Sequence, residues 1–189
     1  LLTAVENKDT DLEQQIIRGD RVINDMERSI ESQCLSLITR QQPIAGDLRM
    51  ISAALKVVTD IERIGDQTAD IAELMLRLRD CDLDAYSRHI TGMLQVAKEI
   101  VHDAVGAFVN RDSRAADEVI RHDDVVDELF AKVKDDLVHM LQEGVDNIDA
   151  CVDVLMIAKY LERIGDHAVN IAEWEIFQES GAIQHIRLM

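Results

Sequence analysis

Apolar residues recur every three or four positions along most of this chain, and short polar segments interrupt the pattern. Ile16, Ile23 and Ile30, for example, are spaced so that they share one face of a helix. Only 3% of the residues are aromatic, whereas Leu, Ile, Val, Ala and the acidic residues dominate. Spacing and composition together predict an all-helical protein rather than one built on a sheet.

The points where the pattern begins and ends predict five long helices, at about 10–41, 43–80, 85–109, 113–142 and 147–179. Thr10 and Glu13 have the spacing of a capping box, which would open the first of them. Pro43 fits the first turn of the next helix, where its missing N–H is harmless. The polar segment 80–84 is expected to link two halves of the chain.

The two halves are copies of one unit. Residues 61–74 and 161–174 share eight of fourteen residues at an offset of 100, including the sequence ERIGD in both. Residues 6–25 match residues 109–128 at an offset of 103. A loop between helices can absorb the difference of three residues. A period of about 100 residues indicates a duplicated domain rather than a solenoid of short repeats.

Each repeat is expected to form an antiparallel three-helix bundle. The second repeat, 85–180, contains all three helices. The first repeat, 1–80, contains two, because residues 1–5 align with residues 104–108, which end the first helix of the second repeat. About 20 residues of a first helix are therefore expected to be absent from this sequence.

Acidic residues lie on the apolar face of the last helix in each repeat. On a helical wheel, Asp66 lies about 40° from Glu62, and Val58 lies about 40° away on the other side. Glu162 and Asp166 reproduce this arrangement in the second repeat. Further polar residues follow one turn later, and others occupy the preceding helix. They are Asp70, Asn170, Asp20, Asn24, Asp123 and Asp127.

Several carboxylates on facing helices cannot all remain ionised and unpaired in an apolar setting. They can share protons at raised pKa values, pair with Arg or Lys, or bind metal ions. Arg63 and Arg163 lie about 100° from the glutamates on the same helices, so they are not expected to pair with them. Hard oxygen ligands suit Fe, Mn, Mg, Ca or Zn ions. A single such motif more often marks a solvated face, but two copies favour metal binding.

The two copies are expected to differ in metal affinity or nuclearity. Asn24 stands where the second repeat has Asp127, and Phe130 aligns with Glu27.

The net charge of −17 argues against nucleic acid as a partner, because phosphate backbones repel such a surface. Three widely spaced cysteines give neither a disulfide framework nor a thiolate zinc site. A reducing compartment is therefore expected. No apolar run is long enough to span a bilayer, and no signal peptide is visible.

The chain has no nucleotide-binding loop, and its serines have no triad context. This favours a non-enzymatic protein that works through contacts. Two other interpretations remain open. One is a metalloenzyme with carboxylate-bridged metal ions, and the other is a structural helical scaffold whose acids are solvated.

The sequence QQPIAGDLRM at 41–50, followed by DIERIGDQTADIAE at 60–73 and LERIGDHAVNIAE at 161–173, resembles the PhoU family. The resemblance covers essentially the whole chain. It implies two similar three-helix bundles in one elongated protein, with multinuclear metal clusters at acidic motifs on the bundle surface. Carried over by position, the first-repeat ligands would be Glu62, Asp66, Asp70, Asp20 and Asn24. Those of the second repeat would be Glu162, Asp166, Asn170, Asp123 and Asp127.

The resemblance also implies a function. Members of the family restrain phosphate uptake and the phosphate-starvation response of bacteria. They link the ATPase subunit of the phosphate ABC transporter to a sensor histidine kinase. The family is cytoplasmic, reaches the membrane only through its partners, and often forms homodimers.

Overall fold

A computed structural model of the chain describes residues 1–181. Five long helices account for most of this part, and two short helices lie between or before them. The helices are α1 (Leu2–Asn7), α2 (Thr10–Gln41), α3 (Gly46–Arg77), α4 (Leu83–Tyr86), α5 (Ile90–Asn110), α6 (Ser113–Glu143) and α7 (Ile148–Ser180). The described residues contain no strand. The prediction of an all-α fold made of three-helix bundles is confirmed.

Helix α2 begins at Thr10 but is capped differently from the prediction. The side chain of Asp9 accepts a hydrogen bond from the backbone N–H of Leu12 at 3.0 Å. Asp9 is therefore the N-cap residue, and Thr10 is already inside the first turn. Glu13 does not complete a capping box, since it follows this N-cap by four residues rather than three. The prediction of a Thr10–Glu13 box was wrong because Asp9, one residue earlier, reaches the free backbone N–H.

Helix α3 begins at Gly46, three residues later than predicted. Pro43 lies in the loop after α2 rather than in the first turn of α3. Gln42 and Ala45 both have positive φ values, 47° and 48°, so the chain turns sharply on either side of the proline. The positive φ of Ala45 is incompatible with an α-helix, so α3 begins only after this residue.

Helices α5, α6 and α7 pack against one another as a three-helix bundle. In the first repeat, α2 packs along α3, and α1 touches α2 and α5. Helices α3 and α7 pack against each other over most of their length. They are antiparallel, because Arg77 at the end of α3 pairs with Asp153 near the start of α7. At the opposite end, the Arg49 guanidinium lies beside Gly181.

The buried core is concentrated on α5, α6 and α7 and on the side of α3 that faces them. Ile157 and Leu161 on α7 are fully buried, as are Ile100 on α5 and Val126 on α6. Helix α1 has six residues, whereas α5, which holds the equivalent place in the second repeat, has 21. No helix within residues 1–181 has the length and apolar character needed to cross a membrane.

Candidate metal centre

The predicted acidic residues of the first repeat gather where α2 crosses α3. Gly65 permits this crossing, because a Cβ atom there would lie 2.9 Å from Ile23 Cδ1 and 3.6 Å from Asp20 Oδ1. We refer to the side chains around this point as the first acidic cluster. Its members are Asp20, Asn24, Glu62, Asp66 and Asp70.

Mutual repulsion and burial shape the electrostatics of the first acidic cluster. The pKa of Asp20 is raised, first by burial and then by the charge of Asp66 and a hydrogen bond with it. Asn24 Nδ2 donates to Asp20 Oδ2 at 2.9 Å and opposes that rise. Burial and the charge of Asp66 also raise the pKa of Glu62. One oxygen of each acid, Asp20 Oδ1 and Glu62 Oε2, is buried without a hydrogen bond.

Arg63 pairs with the acids on its own helix, contrary to the prediction from the helical wheel. Its Nε atom lies 3.4 Å from Glu62 Oε2, and a terminal nitrogen lies 3.4 Å from Asp66 Oδ2. The prediction was wrong because a long, flexible side chain can reach around the helix to residues one and three positions away. Arg63 is more than half exposed, so these pairs are weak.

The equivalent residues of the second repeat meet where α6 crosses α7. We refer to Asp123, Asp127, Glu162 and Asp166 as the second acidic cluster. Burial, followed by the charges of Asp127, Asp166 and Glu162, raises the pKa of Asp123 to about 6. The pKa of Asp166 is also raised, first by burial and then by Glu162. These carboxylates are therefore close enough to oppose one another's ionisation.

The carboxylate of Asp123 lies closer to Gly165 than the carboxylate of Asp20 lies to Gly65. A Cβ atom at Gly165 would lie 2.6 Å from Asp123 Oδ1, which is closer than real Cβ contacts. The absence of a side chain at this position lets the Asp123 carboxylate rest against the backbone of α7. Asp123 thus lies close enough to Glu162 and Asp166, which are one turn apart on that helix, for their charges to raise its pKa.

Lys159 supplies the second acidic cluster with a positive charge that was not predicted from the sequence. Its ammonium group pairs with Glu162 Oε2 at 2.5 Å and lies 5.5 Å from the centre of the Phe130 ring. The available signal was the spacing of Lys159 and Glu162, three residues apart on one helix. Phe130 aligns with Glu27 of the first repeat, so an aromatic ring beside this lysine replaces an acid.

Asn170, a predicted ligand, is engaged on the other side of α7. Its amide donates to Asp60 Oδ1 at 3.1 Å, and His167 Nδ1 lies 2.8 Å from the same oxygen. Asp60 and His167 are both largely buried between α3 and α7. This polar contact joins the two repeats. Asp60 was not predicted as a site residue, because nothing in one sequence shows which residues face each other across the repeats.

Both clusters have a donor set that fits a hard cation. Carboxylate and amide oxygens are the ligands that Mn²⁺, Mg²⁺ and ferric or ferrous iron accept, and zinc also binds carboxylates. Asp20 Oδ1 is buried without a hydrogen-bond partner, and a cation would provide the positive partner for it. Within residues 1–181, no three His, Cys, Asp or Glu side chains are already arranged around a metal position. Metal binding would therefore draw the carboxylates together.

The fold and the site together define a class of protein. It is all-helical and consists of two related repeats, each with an acidic cluster between its last two helices. The sequence model described as the PhoU domain matches residues 1–75 and again residues 90–174. This chain belongs to the PhoU family.

Relatives of known sequence and structure share the same name. The phosphate-specific transport system accessory protein PhoU homologue of Aquifex aeolicus is 38% identical, over 97% of this chain and 85% of that protein. The homologue of Clostridium acetobutylicum is 36% identical, over 95% and 83%. The crystal structure of PhoU from Pseudomonas aeruginosa superposes with a TM-score of 0.87 at 34% identity, covering 96% of this chain and 87% of that one. The phosphate transport system regulatory protein PhoU from Streptococcus pneumoniae gives a TM-score of 0.89 at 25% identity, covering 98% and 87%.

Proposed function

We propose that this chain is a non-enzymatic negative regulator of phosphate uptake and of the phosphate-starvation response. It acts as a metal-binding adaptor between the ATPase subunit of a phosphate ABC transporter and a sensor histidine kinase. Support comes from the names of its relatives, which are accessory or regulatory proteins of the phosphate transport system. The observation that carries the proposal is the presence of an equivalent acidic cluster in each repeat of a PhoU-family fold.

The metal ions would organise the surface on which partners dock. Asp20, Glu62 and Asp66 would hold an ion in the first repeat, and Asp123, Glu162 and Asp166 would do so in the second. A bound ion would supply positive charge that offsets carboxylate repulsion and fixes the relative position of the two helices. Fe, Zn, Mn and Mg are the candidate ions, since carboxylate sites discriminate poorly among them.

The protein would act in the cytoplasm and reach the membrane only through the transporter and the kinase. We also propose that it forms a homodimer. Several apolar side chains of α2 remain exposed, among them Val22 and Met26 at 54% and 60%. Light scattering on the purified chain across a concentration series tests self-association, and a constant monomer mass would rule out the dimer.

The regulatory role is tested in phosphate-replete cells of the source organism by measuring alkaline phosphatase activity with and without the gene. A repressor predicts high activity in the deletion strain and low activity once the gene is restored. Restoration with Glu162→Gln and Asp166→Asn in the same chain then tests whether the second acidic cluster is needed. Unchanged activity in the deletion strain would contradict the signalling role.

The rival interpretation, a carboxylate-bridged metalloenzyme, makes a different prediction. Purified protein loaded with Mn²⁺ or Zn²⁺ would hydrolyse a phosphoester, and Glu62→Gln and Glu162→Gln would abolish turnover. An adaptor binds the ions and leaves the phosphoester intact.

A further inference from the structure

A cavity unrelated to the acidic clusters lies at the other end of the first repeat. It has a volume of about 500 Å³ and lies between the turn that joins α1 to α2, the end of α3 and the segment that leads to α5. Val5, Met75, Leu78 and Leu83 give it an apolar wall. Glu13, which also lines it, precedes Asp20 by seven residues, or roughly 10 Å along α2.

Of the charged residues that line this cavity, Glu13 alone is buried. The side chain is only 4% exposed, and its Oε2 atom is buried without a hydrogen-bond partner. Burial, followed by the charge of Asp9, raises the pKa of the carboxyl group. A buried carboxylate oxygen without a donor is costly, so the site is suited to a group that brings an N–H to it.

The second repeat shows how such a carboxylate is satisfied from within the chain. Glu175 is fully buried at the equivalent end of that bundle. Gln178 Nε2 donates to it at 2.5 Å, Ser113 Oγ lies 3.5 Å away, and the charge of nearby Arg111 favours its ionised form.

The buried carboxylate lies on different helices in the two repeats, on α2 in the first and on α7 in the second. At the offsets of the internal repeat, Met75 stands at the position of Glu175, and Ala116 stands at the position of Glu13. Ala116 is fully buried, so the carboxylate of the second repeat arises from α7 and that of the first from α2. Thr10 and Lys8 stand at the positions of Ser113 and Arg111 and line the cavity, but Leu78 stands at the position of Gln178. The first repeat thus keeps the buried acid at this end but lacks the amide donor that serves it in the second.

The charges around the cavity favour a cation over an anion. Glu13, Asp80 and Asp82 outnumber Lys8 and Arg79, and the Arg79 Nε atom lies 3.5 Å from Asp80 Oδ2. The apolar wall favours a ligand whose charged end carries an aliphatic stem.

We propose that this cavity binds an alkylammonium group, either a free aliphatic amine or the side chain of a lysine from another protein. The ammonium group donates a hydrogen bond to Glu13 Oε2, and the stem lies against Met75 and Leu78. The hydrogen bond between the ammonium group and the carboxylate is charge-assisted, which makes it stronger than a neutral one. This proposal is independent of the acidic clusters and of the regulatory role.

The test is an NMR titration of the full ¹⁵N-labelled chain with n-hexylamine at about pH 7.5, where the amine is protonated. Saturable shifts are expected at the backbone amides of Thr10 and Thr91, which line the cavity. Hexan-1-ol, with the same stem and no charge, is expected to bind at least about tenfold more weakly. Glu13→Gln is expected to weaken hexylamine to a similar degree, whereas the exposed Glu118→Gln, which removes the same charge elsewhere, leaves its affinity unchanged.

A second titration with Nα-acetyl-lysine N-methylamide separates the two sources of the group. Binding of hexylamine alone supports a free aliphatic amine as the ligand, and binding of the blocked lysine as well supports docking of a protein lysine. Three results would overturn the proposal. They are the absence of saturable shifts with either amine, equal affinity for hexylamine and hexanol, and unchanged affinity in Glu13→Gln. A Lys8 ammonium already paired with Glu13 in the free protein would overturn it too, because the chain would then supply its own cation.

Discussion

The two repeats use the same pattern of residues with different degrees of burial. On α6, Val126 and Val133 are fully buried between α5 and α7. At the equivalent positions of α2, Ile23 is half-buried and Ile30 is 39% exposed. The face of α6 is covered by the 21 residues of α5, whereas α1 covers α2 with only six. Within residues 1–181, a similar apolar stripe is therefore buried on α6 and partly solvated on α2.

The acidic clusters differ in how their charges are offset rather than in number. Counting the predicted ligands, each repeat has four carboxylates and one amide. The amide of the first repeat, Asn24, hydrogen-bonds to Asp20, whereas that of the second, Asn170, is engaged by Asp60 at the interface between repeats. The four acids of the second cluster thus oppose one another without an amide donor, although Lys159 pairs with one of them. We expect the second cluster to bind cations more tightly.

The largest expected effect is on metal affinity. Glu162→Gln with Asp166→Asn removes two carboxylates of the second cluster, and Glu62→Gln with Asp66→Asn removes their counterparts. Losing direct ligands should exceed the roughly 10–100-fold loss that is typical of changes to the residues behind them. Isothermal titration with Mn²⁺ should lose its tighter phase in the first variant and its weaker phase in the second. Loss of the tighter phase in the Glu62 variant instead would reverse the comparison between repeats.

Core packing provides the next effect. Val133→Ala empties space in a fully buried site, and about 2 kcal/mol of unfolding free energy should be lost. Ile30→Ala removes more carbon atoms at the equivalent position of α2, yet it should cost under about 1 kcal/mol because that side chain is partly solvated. Urea unfolding of the two variants and the parent chain measures both. Equal losses would show that the first repeat is as well packed as the second.

A smaller effect is expected from the glycines at the helix crossings. Gly165→Ala places a methyl group against Asp123 Oδ1 and must displace that carboxylate. Affinity at the tighter site should fall about tenfold, as when a supporting residue is altered. Gly65→Ala is the matched control, because its methyl group meets the flexible end of Ile23 and stays in ordinary contact with Asp20. Equal affinity in both variants would remove the proposed role of Gly165.

The smallest effect concerns the protonation of Asp123. Its pKa rises from 3.8 to about 6 on folding, so the folded chain binds this proton more tightly than the unfolded chain does. The associated stability is present below about pH 4 and is lost as the pH rises through about 6. Because the side chain is partly exposed to solvent, we expect Asp123→Asn to stabilise the metal-free protein by only about 1 kcal/mol at neutral pH, or about 2–4 °C in Tm.

Thermal unfolding in the presence of a chelator, at about pH 5 and about pH 7.5, measures this difference. Asp117→Asn, exposed on the same helix and not among the charges that raise the pKa of Asp123, is the control for general loss of charge. The stabilisation by Asp123→Asn should grow between the two pH values, and a stabilisation that shrinks as the pH rises would contradict the expected sign.

Much of this fold could be predicted from the sequence, because long amphipathic helices and an internal repeat leave strong periodic signals. Helix α2 was predicted at 10–41 and observed at Thr10–Gln41. The start of α3 was misplaced because the signal of Pro43 was local, whereas the loop geometry depends on two residues with positive φ. Helix ends are set by such short contacts, and periodicity does not report them.

The site was predictable in its residue types and less so in its pairing. The repeat aligned Asp20 with Asp123 and Glu62 with Glu162, and the structure brings the acids of each repeat together. The roles of Arg63 and Lys159 depend on how far a flexible side chain reaches, which a helical wheel does not show. The bond between Asp60 and Asn170 depends on the antiparallel packing of α3 on α7.

We propose that each repeat carries its own cation site. Electron paramagnetic resonance of free Mn²⁺ tests it directly, because bound ions drop out of the sharp aqueous signal. Titration of chelator-treated protein should show saturable loss of that signal at two classes of site, with the tighter class abolished by Glu162→Gln and Asp166→Asn. A signal that grows in proportion to added Mn²⁺ from the first addition, with no saturable loss, would contradict the claim.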